Sequence, residues 1–321
     1  MQILFYTLNS GLLKQQTVPT ELSAHQPDQS EECWYDIEAS TPDELLKFLE
    51  PLRLHPLLLS RCTHTANVPG VNSYELAVVV EFPVHSNLEA GSLDYLTLVL
   101  QGVVLLTIHT CPLPALEELS ANLLAGQGSP FHHLPQIVYL IIDHLSDLNV
   151  QSQIKVRDQI LDMAKTLTEQ PGKVSTADLA HLRWQVEKLV SLIENQLYCV
   201  TNLNACDNQV LQEPHRKAYL QDLVSEAEIA QRGVYRLETR MNDLYTYFQM
   251  AGNDRVEKRL RVLTIISAIT LPLGLITGLL GMNVGGLPGT SFAYGFLLVI
   301  IIMIIIAAFE FLYFKRKGWF D

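Results

Sequence analysis

Two nearly uncharged stretches at one end of the chain limit its architecture more than any other feature. Val262 to Leu280 is nineteen residues without a charge, and Phe292 to Phe314 is twenty-three residues whose single charge is Glu310. A bilayer core of about 30 Å is crossed by roughly 20 apolar helical residues, so each stretch can span it. Only Gly281 to Ser291 lies between them, eleven uncharged residues with four glycines and Pro288. That composition suits a tight turn and is too short for a folded domain. Arg255, Lys258, Arg259 and Arg261 precede the first span and Lys315, Arg316 and Lys317 follow the second, whereas the connecting loop has no cation. Counted by the positive-inside rule, both termini are expected in the cytoplasm, and the chain is expected to be a multi-pass protein of the cytoplasmic (inner) membrane. Met1 to Leu13 has no basic n-region or cleavage-like site, so no targeting segment is expected there.

The remaining residues are acidic. Residues 1–254 hold 15 Lys+Arg against 31 Asp+Glu, net −16, while residues 255–321 hold 7 against 3, net +4. An acidic domain with a basic membrane collar excludes nucleic acid as a partner, because that binding rests on cationic contacts with phosphate. It is compatible with gathering cations, and equally with plain solubility. The five cysteines, Cys33, Cys62, Cys111, Cys199 and Cys206, are scattered and form no C-x-x-C pair, which points to reduced thiols and no zinc knuckle. Ten histidines include the adjacent His132 and His133 but no H-x3-H pair, so structural or surface roles are expected for them. No phosphate loop, nucleophile elbow or H-E-x-x-H occurs, which argues against an enzyme.

Strand patterns fall early and helix patterns late, an α+β order. Residues 1–14 and 33–38, Glu75 to Phe82, Leu93 to Leu100 and Val103 to His109 are strand-like, the last two forming a hairpin across Gln101-Gly102. Thr41-Pro42-Asp43-Glu44 opens a helix over about 42–50. After Pro112 and Pro114 the chain turns helical, with a 3.6-residue period from Ile137 to Met163 and from Leu179 to Leu197. Leu220, Ala227, Val234, Met241 and Phe248 then recur every seven residues, with Leu223, Ala230, Leu237, Leu244 and Ala251 as a second row, so all ten a/d positions are apolar. No proline occurs between His215 and Leu271, and one helix is expected from about 215 to 281. Its seam can pack against the chain's own preceding helices, against copies of itself, or both. The expected divisions are an α/β subdomain over 1–130, a helical and stalk region over 131–254, and a transmembrane hairpin over 255–321 with spans at about 262–281 and 292–314.

The two spans differ in character. Thr264, Ser267, Thr270, Gly274, Thr277, Gly278 and Gly281 place hydroxyls and small residues on one broad side of the first, while the second is oily all round. Small residues also allow close helix packing, so this side fits a pore wall or a helix contact. Pro272 removes one helical hydrogen bond and marks a bend point.

Further residues carry a family resemblance over nearly the whole chain. They are Trp34-Tyr35-Asp36-Ile37, Thr41-Pro42-x-Glu44, Leu54-His55-Pro56-Leu57, Pro69 to Tyr74, Tyr95-Leu96-Thr97 through Thr107-Ile108-His109, Arg259-Leu260-x-x-Leu263-Thr264, Pro272, Gly278 and Gly281-Met282-Asn283. With the tripeptide at the end of a span, after that proline and glycine spacing, the chain resembles the CorA superfamily of two-span divalent metal ion transporters. Within it, the chain is most similar to the ZntB-like zinc-transporter branch. Two departures stand out. The loop after the tripeptide, Val284-Gly285-Gly286-Leu287-Pro288-Gly289, lacks the carboxylates of many magnesium-selective relatives, and Ser60-Arg61-Cys62 stands where relatives often carry an acidic pair.

The resemblance implies a homopentameric funnel in membrane lipid, with stalk helices continuing into pore-lining first spans. Aligned on the tripeptide, Leu263, Ser267, Leu271, Gly274 and Gly278 would face the axis, Thr270 and Thr277 would lie beside them, and the leucines would be a candidate hydrophobic gate. Gly281, Met282 and Asn283 would form the selectivity filter. Five Asn283 amide oxygens would be the metal-contacting ring, a neutral set suited to a hydrated Mg²⁺ without excluding Zn²⁺. No covalently bound cofactor is implied; the transported ion is Zn²⁺ or Mg²⁺, and a regulatory divalent cation is expected near Asp222. Mg²⁺ or Zn²⁺, channel or proton-coupled carrier, remain open at this level. The competing reading is a membrane-anchored coiled-coil module without transport, against which the polar side of the first span speaks.

Overall fold

The computed structural model describes residues 1–9, 12–16, 32–39, 41–52, 54, 56–63, 68–84, 93–126, 133–213, 215–282 and 294–319. They form two compact units, Met1–Leu244 and Tyr245–Asp321.

The first unit is built on a seven-stranded sheet. Its strands are β1 (Gln2–Asn9), β2 (Leu12–Gln16), β3 (Glu32–Glu38), β4 (Gly70–Tyr74), β5 (Ala77–Val84), β6 (Asp94–Gln101) and β7 (Val104–His109), in the order β2-β1-β3-β7-β6-β5-β4. Every neighbouring pair is antiparallel except β3 with β7, where Trp34 pairs with Leu105 and Asp36 with Thr107. The stretch 1–14 is therefore two strands of a hairpin and not one. β4, which sequence alone did not show as a strand, is short and polar (GVNSY) and is held by its partner β5. Gly102 opens the two-residue turn between β6 and β7 with φ +55, a conformation that glycine adopts without a Cβ clash.

Both faces of this sheet are covered, which is why β5 (AVVVEFPV) is buried at all eight positions instead of alternating. On one face α1 (Pro42–Leu49) and α2 (Pro56–Thr63) bring Leu45, Phe48, Leu49 and Leu58 onto Phe5, Tyr35, Ile37, Val79 and Leu106. On the other, α3 (Pro114–Leu124), α4 (Leu134–Glu169), α5 (Thr176–Ala205) and the start of α6 (Arg216–Leu280) cover Tyr6, Trp34, Val80, Phe82 and Leu98. Two polar ties fix the layers. Gln196 of α5 donates to the Pro83 carbonyl at 2.9 Å, and the buried Glu81 accepts from Arg61 of α2 at 2.9 Å. A third network sits at the parallel join: Trp34 Nε1 donates to Thr107 Oγ1 at 3.1 Å, and Thr107 donates to Asp36 at 2.5 Å.

The helix ends follow their sequences. α5 starts at a capping box in which Ser175 Oγ accepts from the Asp178 amide and Asp178 accepts from the Ser175 amide, both at 3.1 Å. α1, α3 and α4 each carry proline in the first turn, where no helical donor is lost. α6 runs for 65 residues, as its heptads and lack of proline before Pro272 predict. Of its seam, Leu220, Leu223, Ala227, Ala230, Val234, Leu237, Met241 and Leu244 are buried within a single chain. Gln153 of α4 donates to the Ala230 carbonyl on this side. The seam thus packs on the chain's own helices.

The second unit holds the end of α6 and α7 (Gly295–Arg316), the two helices long and apolar enough to cross a membrane. Positions 292 and 293 of the expected second span lie outside the described residues.

Candidate ion pathway

The last nineteen residues of α6 are helical because they are apolar and self-satisfying. Thr264, Thr270 and Thr277 each donate their hydroxyl to the carbonyl four residues back, at 2.8, 2.7 and 3.0 Å. Their oxygens keep lone pairs free to accept. One side of this helix is covered: Ile265 is buried, and Ala268, Ile269, Pro272, Leu273 and Ile276 are half-buried. The matching side of α7 is Val299, Met303, Ile306, Ala307, Glu310 and Phe314, also half-buried at three- and four-residue spacing.

Leu263, Ser267, Thr270, Leu271, Gly274, Thr277 and Gly278 are all exposed, with Leu271 at 72 %. At 100° per residue Leu263, Ser267, Leu271, Gly274 and Gly278 fall within an arc of about 80°, centred roughly opposite the α7-covered residues. Thr270 and Thr277 border that arc. Each expected wall residue is therefore on a face that the chain's own second span leaves open. Pro272 is on the other side, turned towards α7. A Cβ built at Gly274 or Gly278 meets nothing within 4 Å.

The helix closes at Gly281, whose amide donates to the Thr277 carbonyl at 2.9 Å. A Cβ at 281 would stand 2.9 Å from that same carbonyl, so this tight end requires glycine. Met282 is exposed. Asn283, the expected metal-contacting residue, lies outside the described residues.

Asp222 is on the first unit, where α6 meets α4. It accepts from Tyr139 Oη at 3.0 Å. Around it are Asp143 and Asp147 of α4 and Glu226 of α6, at helical i,i+4 spacings. Burial, reinforced by Asp143 and Asp222, pushes the Glu226 carboxyl up to about 7. Burial and then Asp147 raise Asp143 as well. This cluster was missed by sequence reasoning, although two acidic i,i+4 pairs on neighbouring helices were its available sign. Among the described residues no group of three or more His, Cys, Asp or Glu is arranged to hold a metal ion.

The described histidines have local partners. His133 Nδ1 lies 3.1 Å from Glu32, and His144 Nε2 lies 3.9 Å from Glu118. His109 is buried, with Nδ1 2.6 Å from the Cys111 carbonyl and Nε2 3.3 Å from Asp36, the latter an ion-pair distance without hydrogen-bond alignment. Burial draws its pKa down, but Asp36 and the carbonyl outweigh it, and the net shift is upward.

Comparison with known proteins gives this geometry its setting. The family described as CorA-like Mg²⁺ transporter protein matches residues 29–316. The cobalt/magnesium transport protein CorA of Thermotoga maritima is 23 % identical over 297 residues, 91 % of this chain and 84 % of that one. The zinc transport protein ZntB of Vibrio parahaemolyticus is 37 % identical, but over 67 residues, 21 % of each chain. The structure of the CorA magnesium transporter from Methanocaldococcus jannaschii superposes with a TM-score of 0.83 over 99 % of both chains at 15 % identity, which shows a shared fold. With an α+β sheet domain, a long helix, two apolar C-terminal helices and a family match across most of its length, the chain belongs to the CorA-like Mg²⁺ transporter family, whose members are divalent-cation transporters and not enzymes.

Proposed function

We propose that five copies of this chain assemble around the open face of α6 and conduct a divalent cation, Mg²⁺ or Zn²⁺, across the inner membrane, with both termini in the cytoplasm. The observation that carries the reading is the separation of faces on the first span. Ser267, Thr270, Leu271, Gly274, Thr277 and Gly278 are exposed together, roughly opposite the side on which Ile265 is buried and Ala268, Ile269, Pro272, Leu273 and Ile276 are half-buried. A mere anchor has no use for that division.

In this reading Gly281, Met282 and Asn283 form the filter. Amide and carbonyl oxygens recognise the ion, still largely hydrated, weakly enough to release it. Leu263 and Leu271 form apolar rings that close the path by excluding water. The ions named for the matched relatives, cobalt, magnesium and zinc, support a divalent cargo. Asp222, set among three more carboxylates, would take part in a regulatory cation site completed by a neighbouring copy.

The test is Asn283→Ala in proteoliposomes with a divalent-sensitive dye inside. Loss or altered selectivity of flux in a correctly assembled protein is expected; wild-type flux and selectivity would overturn the filter assignment.

A further inference from the structure

Charges along the seam between α4 and α6 are sorted by sign. Asp143, Asp147, Asp222 and Glu226 hold one stretch. Ten residues on from Asp147 stands Arg157, and ten on from Glu226 stands Arg236, about 15 Å along each helix at 1.5 Å per residue, with Arg240 one turn further. That separation exceeds the roughly 8 Å over which exposed charges act on one another at physiological salt, so the acids do not neutralise the arginines.

The three arginines line an open groove of about 310 Å³. Its apolar wall is Val150 and Ile154 of α4 with Leu237 of α6, and none of its lining residues is acidic. Val150 and Ile154 are 47 % and 44 % exposed there. Gly233 keeps the groove open. A side chain at 233 would run into Gln153 Oε1, whereas Gln153 now reaches past the glycine and donates to the Ala230 carbonyl at 3.3 Å. Glycine inside a helix costs about 1 kcal/mol against alanine, so the open space comes at the expense of helix stability.

Ion pairing sets these arginines apart from the others of the first unit. Arg61 has Glu81 at 2.9 Å, Arg183 has Glu187 at 2.8 Å, Arg216 has Asp207 at 3.9 Å and Arg232 has Glu228 at 3.7 Å. Arg157 has Asp158 at 3.0 Å. Among the described residues no carboxylate stands at ion-pair distance from Arg236 or Arg240; Arg236 is steadied by its Nε, which donates to the Arg232 carbonyl at 3.2 Å. Residues 1–254 hold 31 Asp+Glu against 15 Lys+Arg, so partners were abundant. Two like charges one turn apart on a helix, facing a third, repel one another. Their planar guanidinium groups suit the oxygens of a phosphate.

We propose that this groove binds a nucleoside triphosphate: Arg157, Arg236 and Arg240 hold the phosphate chain, and the nucleoside rests on Val150, Ile154 and Leu237. A lone phosphate cannot reach both arginine turns and has no use for an apolar wall. A chain of phosphoryl groups with an organic end uses both. The bound anion ties α4 to α6, the helix that continues into the first span. The binding site stands whether or not the chain conducts ions.

The experiment is isothermal titration calorimetry on the full chain in detergent micelles, without divalent ions, using ATP, inorganic tripolyphosphate and adenosine as three separate probes. ATP is expected to bind, tripolyphosphate several-fold more weakly and adenosine not at all, with affinity falling as salt rises. Arg236→Gln and Arg240→Gln should each weaken ATP by about tenfold. Arg183→Gln removes the same charge from α5 and should leave ATP affinity within about twofold. Ile154→Ser should weaken ATP several-fold and leave tripolyphosphate unchanged. Absence of ATP binding to wild type, equal affinity for ATP and tripolyphosphate, or equal losses in Arg183→Gln and Arg236→Gln each overturn the proposal. If wild type binds no ATP and native mass spectrometry shows Arg236→Gln failing to assemble, the groove belongs to a neighbouring copy and the nucleotide assignment is wrong.

Discussion

Gly274 separates a pore wall from a packing surface, because nothing in a single chain touches the place where its side chain would be. Gly274→Ala therefore causes no clash within the chain, and Gly274→Leu starts from the same open position. An exposed helical glycine replaced by a good helix former gains up to about 1 kcal/mol, so the single-chain fold should be as stable as before or slightly more so. Around a five-fold axis the outcome is different. Side chains extend a helix by roughly 3 Å beyond its Cα cylinder, from an overall radius of about 5 to 6 Å against about 2.3 Å. Five leucines would narrow a glycine ring by nearly the radius of a Mg²⁺ with its inner waters, about 3.5 Å from a metal–oxygen distance near 2.1 Å. A tenfold or greater loss of flux is expected for the leucine variant, a barrier increase of at least about 1.4 kcal/mol, with a smaller loss for alanine. Native mass spectrometry reports assembly, and dye-loaded proteoliposomes report flux. Wild-type flux in an assembled leucine variant would remove Gly274 from the pathway. Disassembly by alanine alone would show that the small residues serve helix contact.

Two other outcomes test the first unit. Leu237, 5 % exposed, lies on the α6 seam, so Leu237→Ala should cost about 3 kcal/mol and lower the melting temperature by roughly 6 to 12 °C, whereas Ile229→Ala, at a 57 % exposed position, should not; equal melting of both in differential scanning calorimetry refutes the packing described. Glu226 holds its proton to about pH 7 when folded and to about 4.5 when unfolded, so the folded state binds the extra proton in that window and stability falls as pH rises through it. Urea unfolding across that range should show the slope in wild type and lose most of it in Glu226→Gln; an unchanged slope refutes the assignment.

The long, regular elements were legible before any coordinates. Heptads over Leu220–Ala251 and the missing prolines gave α6 nearly to the residue, and Thr41-Pro42 gave the start of α1. The heptads could not name their partner, since an apolar seam is the same whether it meets its own chain or a copy; the burial of Leu223, Val234 and Met241 in one chain answers it. β4 was hidden because Asn72 and Ser73 have little strand propensity and are held by backbone pairing to β5. The expected wall of the first span came from its tripeptide and its small residues, and its separation from α7 needed the covered face to be seen. The i,i+4 pairs Asp143/Asp147 and Asp222/Glu226 were each visible in the sequence, but their meeting was not, because Asp143 and Glu226 are 83 positions apart.

The single parallel join in the sheet also bears on how the chain survives its own synthesis. β3 leaves the ribosome long before β7 exists to pair with it; the 71 residues from Glu38 to His109 take roughly 4 to 14 s to make. During that wait β3 is a bare edge with five buried-type positions in a row, the kind of strand that recruits other nascent chains. Asp36 stands in the middle of it. Before β7 arrives, its charge keeps that edge from templating strangers, and afterwards Thr107 receives it at the one register that also satisfies Trp34. The same carboxylate is thus first a guard against aggregation on polysomes and then the key that admits the right strand.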